Sequence, residues 1–247
     1  MKFGVADYGM NAWDGGCFDL EARLQGLKAI GYEGVERLVA VDAADALEGA
    51  ARFRRLGMDF GTCLGPNPQT SIRWTAALGK SYVWTAVNAR TFDVFCRQAG
   101  RQAELAAAWG VRVGLHNHLG SLVESQAQLE DFLARCPACG LILDTAHLAA
   151  ADGDPVAIVS RYADRLAAVH LKDWIVTNPE IGLDRWPQRG RFCELGAGNI
   201  GLDNAAVMKA LVKAGYTGWV FVEHDTHLQD PFRDLAISRE YLRRAGF

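Results

Sequence analysis

The sequence predicts an α/β protein, a single (β/α)8 barrel of the TIM-barrel class over residues 1–247. Three observations carry that expectation. Helical stretches repeatedly end in glycine and give way to short β-branched or aromatic runs, at Ile30-Gly31-Tyr32, Leu56-Gly57-Met58, Trp109-Gly110-Val111 and Ala214-Gly215-Tyr216. Glycine just past a helix takes the left-handed cap without steric cost, so each junction reads as half of a repeated αβ unit in a parallel sheet. Eight short apolar runs alternate with helical segments, and eight such units fit a barrel of about 250 residues. Neither a Gly-x-Gly-x-x-Gly turn after the first strand nor a Gly-Lys-Ser/Thr loop is present, which disfavours a doubly wound nucleotide-binding sheet.

The strands are expected to start near Phe3, Val35, Met58, Tyr82, Val111, Leu141, Leu166 and Trp219. Apolar spacing of three and four residues predicts helices over 20–30, 92–109 and 203–214. Asp19 and Asp203 read as N-caps, and Asp154-Pro155 as an N-cap followed by a first-turn proline. The last interval is longer than one βα unit because residues 173–201 are irregular and rich in Gly, Pro and Trp. Nothing reads as an interdomain linker.

Composition narrows the function. The chain is 50% hydrophobic and 22% charged with a formal charge of −3, an ordinary globular balance. No apolar run approaches the ~18–20 residues of a membrane span, and the N-terminus lacks the apolar core of a secretory signal. No Lys/Arg block offers a surface to nucleic acid or anionic lipid. The expected setting is the cytoplasm, with neither membrane nor nucleic acid as partner. The six cysteines are expected as reduced structural thiols. Cys136-Pro137-Ala138-Cys139 has no second pair for a zinc site and precedes a strand, unlike a thioredoxin-type motif.

The chemistry collects in the second half, which holds all six histidines. The fifth strand ends Leu115-His116-Asn117-His118 and the sixth Leu143-Asp144-Thr145-Ala146-His147. The seventh ends Val169-His170-Leu171-Lys172-Asp173 and the eighth Val222-Glu223-His224-Asp225. In a barrel these ends form one rim, the face on which barrel enzymes carry their sites. Strand alternation puts His116 with His118, and His170 with Lys172, on a common face. Carboxylates converging there repel unless a cation neutralises them. Asp144, His170 and Glu223 form the ligand mixture expected for a divalent ion of the Mn, Co, Zn or Mg kind.

These pieces, with Leu195-Gly196-Ala197-Gly198-Asn199-Ile200, the closing Gly218-Trp219-Val220-Phe221-Val222-Glu223 and Gly31-Tyr32-x-Gly34-x-Glu36, resemble the xylose-isomerase-like (β/α)8 barrels. That group of sugar and sugar-phosphate isomerases and epimerases also holds inosose dehydratases, hydroxypyruvate isomerases and endonuclease IV, and the inosose dehydratases look closest over these motifs. The resemblance implies one metal, Mn2+ first with Co2+, Zn2+ or Mg2+ as alternatives, held by Asp144, His170, Glu223 and a fifth-strand carboxylate. His116 stands where that carboxylate is expected, so the fourth ligand is either His116 or Glu124, eight residues on, with Glu124 preferred.

The implied reaction is proton abstraction from a sugar, sugar phosphate or polyol ketone through a metal-stabilised enediolate. Glu223 and, opposite it, Glu124 or His118 are the expected bases; Lys172 stabilises an alkoxide or protonates a departing hydroxyl. His147, His116, Glu36 and Trp13 are expected to touch substrate, although a salt bridge in the barrel mouth suits Glu36 equally well. Trp84 and Trp186 are further sugar-packing candidates, Asp173 is expected to bond a neighbouring His or Arg, and His224 and His227 to be solvated or to support the site from behind. Isomerisation or epimerisation is the main expectation, dehydration the alternative. Behind these stand an endonuclease IV-like repair enzyme, opposed by the acidic charge and the absence of His from the first four strands, and a non-catalytic barrel. The resemblance leaves room for a homodimer.

Overall fold

The structure, a computed structural model, describes residues 1–6, 8–11, 19–225 and 227–247; Trp13 and Cys17 lie outside the described residues. The first five strands are β1 (Lys2–Ala6), β2 (Gly34–Val39), β3 (Asp59–Leu64), β4 (Tyr82–Trp84) and β5 (Arg112–His116). The rest are β6 (Gly140–Asp144), β7 (Leu166–Leu171), β8 (Asp173–Val176), β9 (Gly190–Cys193) and β10 (Trp219–Glu223). Eight of them form one parallel sheet in the order β3-β2-β1-β10-β7-β6-β5-β4. Pairing of β1 with β10, from Lys2 opposite Trp219 to Ala6 opposite Glu223, joins the two ends of the chain and wraps the sheet into a TIM barrel.

Each barrel strand begins within one residue of its expected start. The glycine junctions explain why: Gly31, Gly57, Gly110 and Gly215 all have positive φ, between 63° and 103°, closing one helix and aiming the chain into the next strand. Helix starts follow the same local rules. Asp19, Asp154 and Asp203 accept N–H bonds from Ala22, Ala157 and Ala206 in the first turns of Leu20–Ile30, Pro155–Tyr162 and Asn204–Lys213.

Two apolar layers hold the barrel. Between sheet and helices lie fully buried side chains such as Leu24, Leu27, Phe132, Leu141, Val169 and Leu211. Inside the barrel, Tyr82, Ile142, Ala168 and Phe221 fill the lumen beneath the rim. Phe221 fits because its neighbours lack side chains: a Cβ on Gly4 would stand 2.7 Å from its ring, and one on Gly61 2.9 Å. These side chains plug the lumen beneath the rim.

The stretch 173–201 is not merely irregular. It contains the antiparallel pair β8–β9, with Asp173 opposite Cys193 and Val176 opposite Gly190. A third apolar cluster of Leu119, Ala146, Trp174 and Phe192 seats this pair on the rim. Asp173 differs from expectation too. Its carboxylate accepts the N–H groups of Trp174 and Gly196, each at 2.9 Å, rather than a His or Arg side chain. Gly198 packs so closely on that carboxylate that a Cβ there would lie 1.9 Å from Asp173 Oδ1. Cys63, Cys96, Cys136, Cys139 and Cys193 are buried and free. Among the described residues no helix is long and apolar enough to cross a membrane.

Candidate active site

Four barrel strands deliver one polar cluster. His116 closes β5, Asp144 closes β6, His170 is the fifth residue of β7 and Glu223 closes β10. Each offers one ligand atom, and the four atoms lie within 4.8 Å of one another. His116 Nε2 is 3.5 Å from Asp144 Oδ2 and 4.0 Å from Glu223 Oε2, and His170 Nδ1 is 2.6 Å from Glu223 Oε2. His116 Nε2 and Asp144 Oδ2 are buried and make no hydrogen bond, although Asp144 Oδ2 has the Lys172 ammonium 3.2 Å away. Orphaned atoms of a ring nitrogen and a carboxylate, beside two further donors of the same kinds, fit a divalent cation at their centre.

Glu124 is not part of this group. Its carboxylate accepts the Gly120 N–H within the loop that follows β5, and its own N–H donates to Gln128 Oε1 at 3.0 Å. The loop turns back at once, His118 N–H reaching Val123 O and Ser121 N–H reaching His118 O, and the Glu124 carboxylate is spent inside that turn. The fourth member of the group is His116.

Of the two expectations for Glu36, the structure has the ion pair in the barrel mouth. Glu36 is fully buried below the cluster, where Oε1 accepts Tyr82 Oη–H at 3.0 Å and Trp84 Nε1–H at 2.9 Å and lies 3.1 Å from His170 Nε2. Burial alone would lower the basicity of His170, but Glu36 and Glu223 on its two sides push it up to about 10. Glu36 thereby fixes the ring and leaves Nδ1 directed at the cluster. We expect Glu36→Gln to weaken divalent-metal affinity about 10–100-fold, read by competition with a chromogenic chelator. Unchanged affinity would show that Glu36 does not orient the ligand.

Lys172 is fully buried among the carboxylates. Its Nζ lies 3.2 Å from Asp144 Oδ2, 3.3 Å from Glu223 Oε2 and 2.9 Å from Asp225 Oδ1. Burial disfavours the ammonium, yet Asp144, Glu223 and Asp225 outweigh it and raise the group above its usual value. Burial likewise works against the Asp144 and Glu223 carboxylates. Lys172 and the adjoining histidines overcome it and hold both well below the usual carboxylate range.

A second set, His118, His147 and Asp225, adjoins the first. The His118 and His147 ring centroids are 3.7 Å apart, and His147 Nε2 lies 3.2 Å from Lys172 Nζ. His118 Nδ1 contacts Leu119 O at 2.7 Å, a bond in which the ring nitrogen donates to the carbonyl. The cavity above both sets measures about 480 Å3 and is walled by Arg37, Trp84, His116, Trp186, Glu223 and Asp225.

Several supports were not visible in the sequence pattern. Asn117 pins the backbone of Asp144 from both sides, donating to its carbonyl at 3.0 Å and accepting its N–H at 2.9 Å. Asp144 Oδ1 then caps the helix Thr145–Ala150 by accepting His147 N–H, so one residue both starts a helix and presents Oδ2 to the cluster. Thr145 Oγ1 accepts Lys172 N–H at 3.1 Å and donates to Asn204 Oδ1 at 2.9 Å. Arg37 carried no motif, and Asp225 stood in the eighth-strand run with no role assigned to it. His224 and His227 are not solvated; they stack at 4.7 Å, and His227 Nδ1 pairs with Asp234 Oδ2 at 3.0 Å behind the barrel.

A parallel barrel with its polar cluster at the C-terminal ends of the strands has the layout that barrel enzymes use. The chain belongs to the xylose isomerase-like TIM barrel family, whose pattern it matches over residues 24–245. It is 27% identical over 165 residues to the inosose dehydratase of Lactiplantibacillus plantarum, covering 63% of this chain and 54% of that protein. It thus spans about half the length of the curated relatives that it matches. The solved structure of the IOLI protein with a bound zinc atom superposes at a TM-score of 0.72 with 15% identity, covering 99% of this chain and 98% of that one. L-ribulose 3-epimerase superposes at 0.71 with 18% identity, covering 99% and 93%.

Proposed function

We propose that this protein is a divalent-metal-dependent isomerase or epimerase of a sugar-like ketone, working by removal of a proton from the carbon next to the carbonyl. The observation that carries the reading is the convergence of His116, Asp144, His170 and Glu223 with orphaned buried ligand atoms. The bound ion would supply Lewis-acid polarisation of adjacent substrate oxygens. Two imidazoles and two carboxylates make a mixed nitrogen and oxygen set, which admits Mn2+ and suits Zn2+ and Co2+ better than an all-oxygen set does.

Around that centre the chain's own groups divide the work. Glu223, ionised and lining the cavity, is placed to take the proton. His118, which also lines the cavity, is placed to take or return one on another side. The Lys172 ammonium, held by three carboxylates, stabilises negative charge developing on a substrate oxygen. Trp84 and Trp186 wall the cavity with aromatic faces suited to a sugar's apolar side.

Dehydration is the second reading, favoured by one specific arrangement. Lys172, His147 and Asp225 adjoin one another beside Glu223, so a proton donor stands next to the base, as elimination of a hydroxyl requires. The name of the inosose dehydratase relative agrees with it. Both readings share the first proton transfer. Incubation of the Mn2+-loaded protein in heavy water with ketoses, inososes and their phosphates tests it. We expect deuterium at one carbon next to a carbonyl, with loss of water distinguishing the dehydratase. Absence of label from every compound would contradict the reading.

A further inference from the structure

We propose that Arg37 forms a subsite for an anionic group of the substrate, a carboxylate or a phosphate; this rests on the reading of the cluster as a sugar-converting centre. The charges around the cavity are otherwise spoken for. Glu223 and Asp225 lie within 3.3 Å and 2.9 Å of Lys172, and Glu36 is taken up by Tyr82, Trp84 and His170. Arg37, on β2, also walls the cavity, yet among the described residues it makes no ion pair. Its contact is the face of Trp84, with the guanidinium carbon 5.2 Å from the ring centroid.

That contact positions the group without consuming its hydrogen bonds. Trp84 is fixed by its Nε1–H bond to Glu36 and by stacking on His116 at 4.6 Å, so the guanidinium lies over an immobilised ring. A guanidinium lying over an aromatic face keeps the N–H donors along its edge, in a planar fork that matches carboxylate and phosphate oxygens. His116, Glu223 and Arg37 line the same cavity of about 480 Å3, so a substrate held at the cluster shares that space with the guanidinium. A second cavity of about 330 Å3 opens from the same two side chains, Arg37 and Trp84, and runs past Cys63, Leu64, Pro66 and Val83. Thr62, Asn67, Ser71 and Gln102 line it as well, but Arg37 is the one cation among its lining residues, so the charged group is expected at the junction of the two cavities. Arg37 is by this account a specificity-determining residue, selecting acidic sugars or sugar phosphates over neutral polyols.

The test compares wild type, Arg37→Met and Arg37→Lys, each loaded with Mn2+. Methionine keeps an apolar stem against Trp84, and lysine keeps the charge without the fork. Calorimetric titration with inorganic phosphate and with 2-keto-D-gluconate should show binding to wild type that weakens roughly 10- to 100-fold in Arg37→Met and less in Arg37→Lys, the scale of a charge-assisted hydrogen-bonded pair. Deuterium exchange into D-fructose, D-fructose 6-phosphate and 2-keto-D-gluconate provides the second readout. The ratio of anionic to neutral kcat/KM should fall in Arg37→Met, and the compound affected names phosphate or carboxylate as the source. Anion binding equal in wild type and Arg37→Met, no anion binding to wild type, or an unchanged ratio overturns the subsite. Exchange into no compound, with Arg37-dependent anion binding retained, overturns the chemistry and leaves the subsite standing.

Discussion

Glu223→Gln should lower turnover by about 1,000-fold or more while the barrel still folds, since a positioned general base contributes about 10²–10⁴-fold. The amide has the shape of the carboxylate but neither its charge nor its basicity. Proton removal therefore fails, and the metal cluster loses one of its two anionic ligands. Folding survives because the cations that Glu223 touches keep other partners. His170 retains Glu36 at 3.1 Å, and Lys172 retains Asp144 at 3.2 Å and Asp225 at 2.9 Å. Far-ultraviolet circular dichroism should be unchanged, and deuterium uptake into whichever substrate wild type labels should vanish. Label incorporated at the wild-type rate would remove Glu223 from the chemistry.

Removal of the metal should abolish activity and lower stability together. An ion present at 100 times its dissociation constant stabilises the native state by about 2.7 kcal/mol. At about 2–4 °C per kcal/mol for a chain of this size, chelation should lower Tm by about 5–10 °C. The competing fourth ligands make the effect specific. His116→Ala removes a ligand atom 3.5 Å from Asp144 and 4.0 Å from Glu223, and metal affinity should fall by at least the roughly 100-fold that loss of a mere supporting residue can produce. Glu124→Ala removes only the acceptor of the Gly120 amide and should leave affinity as it was. If Glu124→Ala strips the metal and His116→Ala does not, the loop after β5 rearranges on loading and the site is built as the sequence preference had it.

The barrel was legible in the sequence because its signals are local. A glycine closing a helix, an aspartate opening one and a run of β-branched residues each act within a few positions, and the strand starts followed from them. The convergence of Asp144, His170 and Glu223 was legible for the same reason: three strand ends of known register meet wherever a parallel barrel closes. What stayed hidden depends on contacts between distant segments. Nothing near Glu36 announces that His170 stands above it, and nothing near Asp173 announces the amides of the Gly196 turn. The β8–β9 pair lacks the turn residues and alternation of a short hairpin, because thirteen residues, Thr177–Arg189, separate its strands. The choice between His116 and Glu124 turned on one loop that folds back over six residues, a matter of backbone hydrogen bonds rather than of residue type. Arg37 has no motif; its seat on the Trp84 ring, without an ion pair among the described residues, depends on segments far apart in the chain.

The most direct check is an anomalous-scattering map from a crystal grown with Mn2+. One strong peak is expected at the mouth of the barrel, bonded to His116 Nε2, Asp144 Oδ2, His170 Nδ1 and a Glu223 oxygen, with Glu124 still on the Gly120 amide. A map without a peak there, or with one whose ligands exclude Asp144, His170 and Glu223, would contradict that expectation.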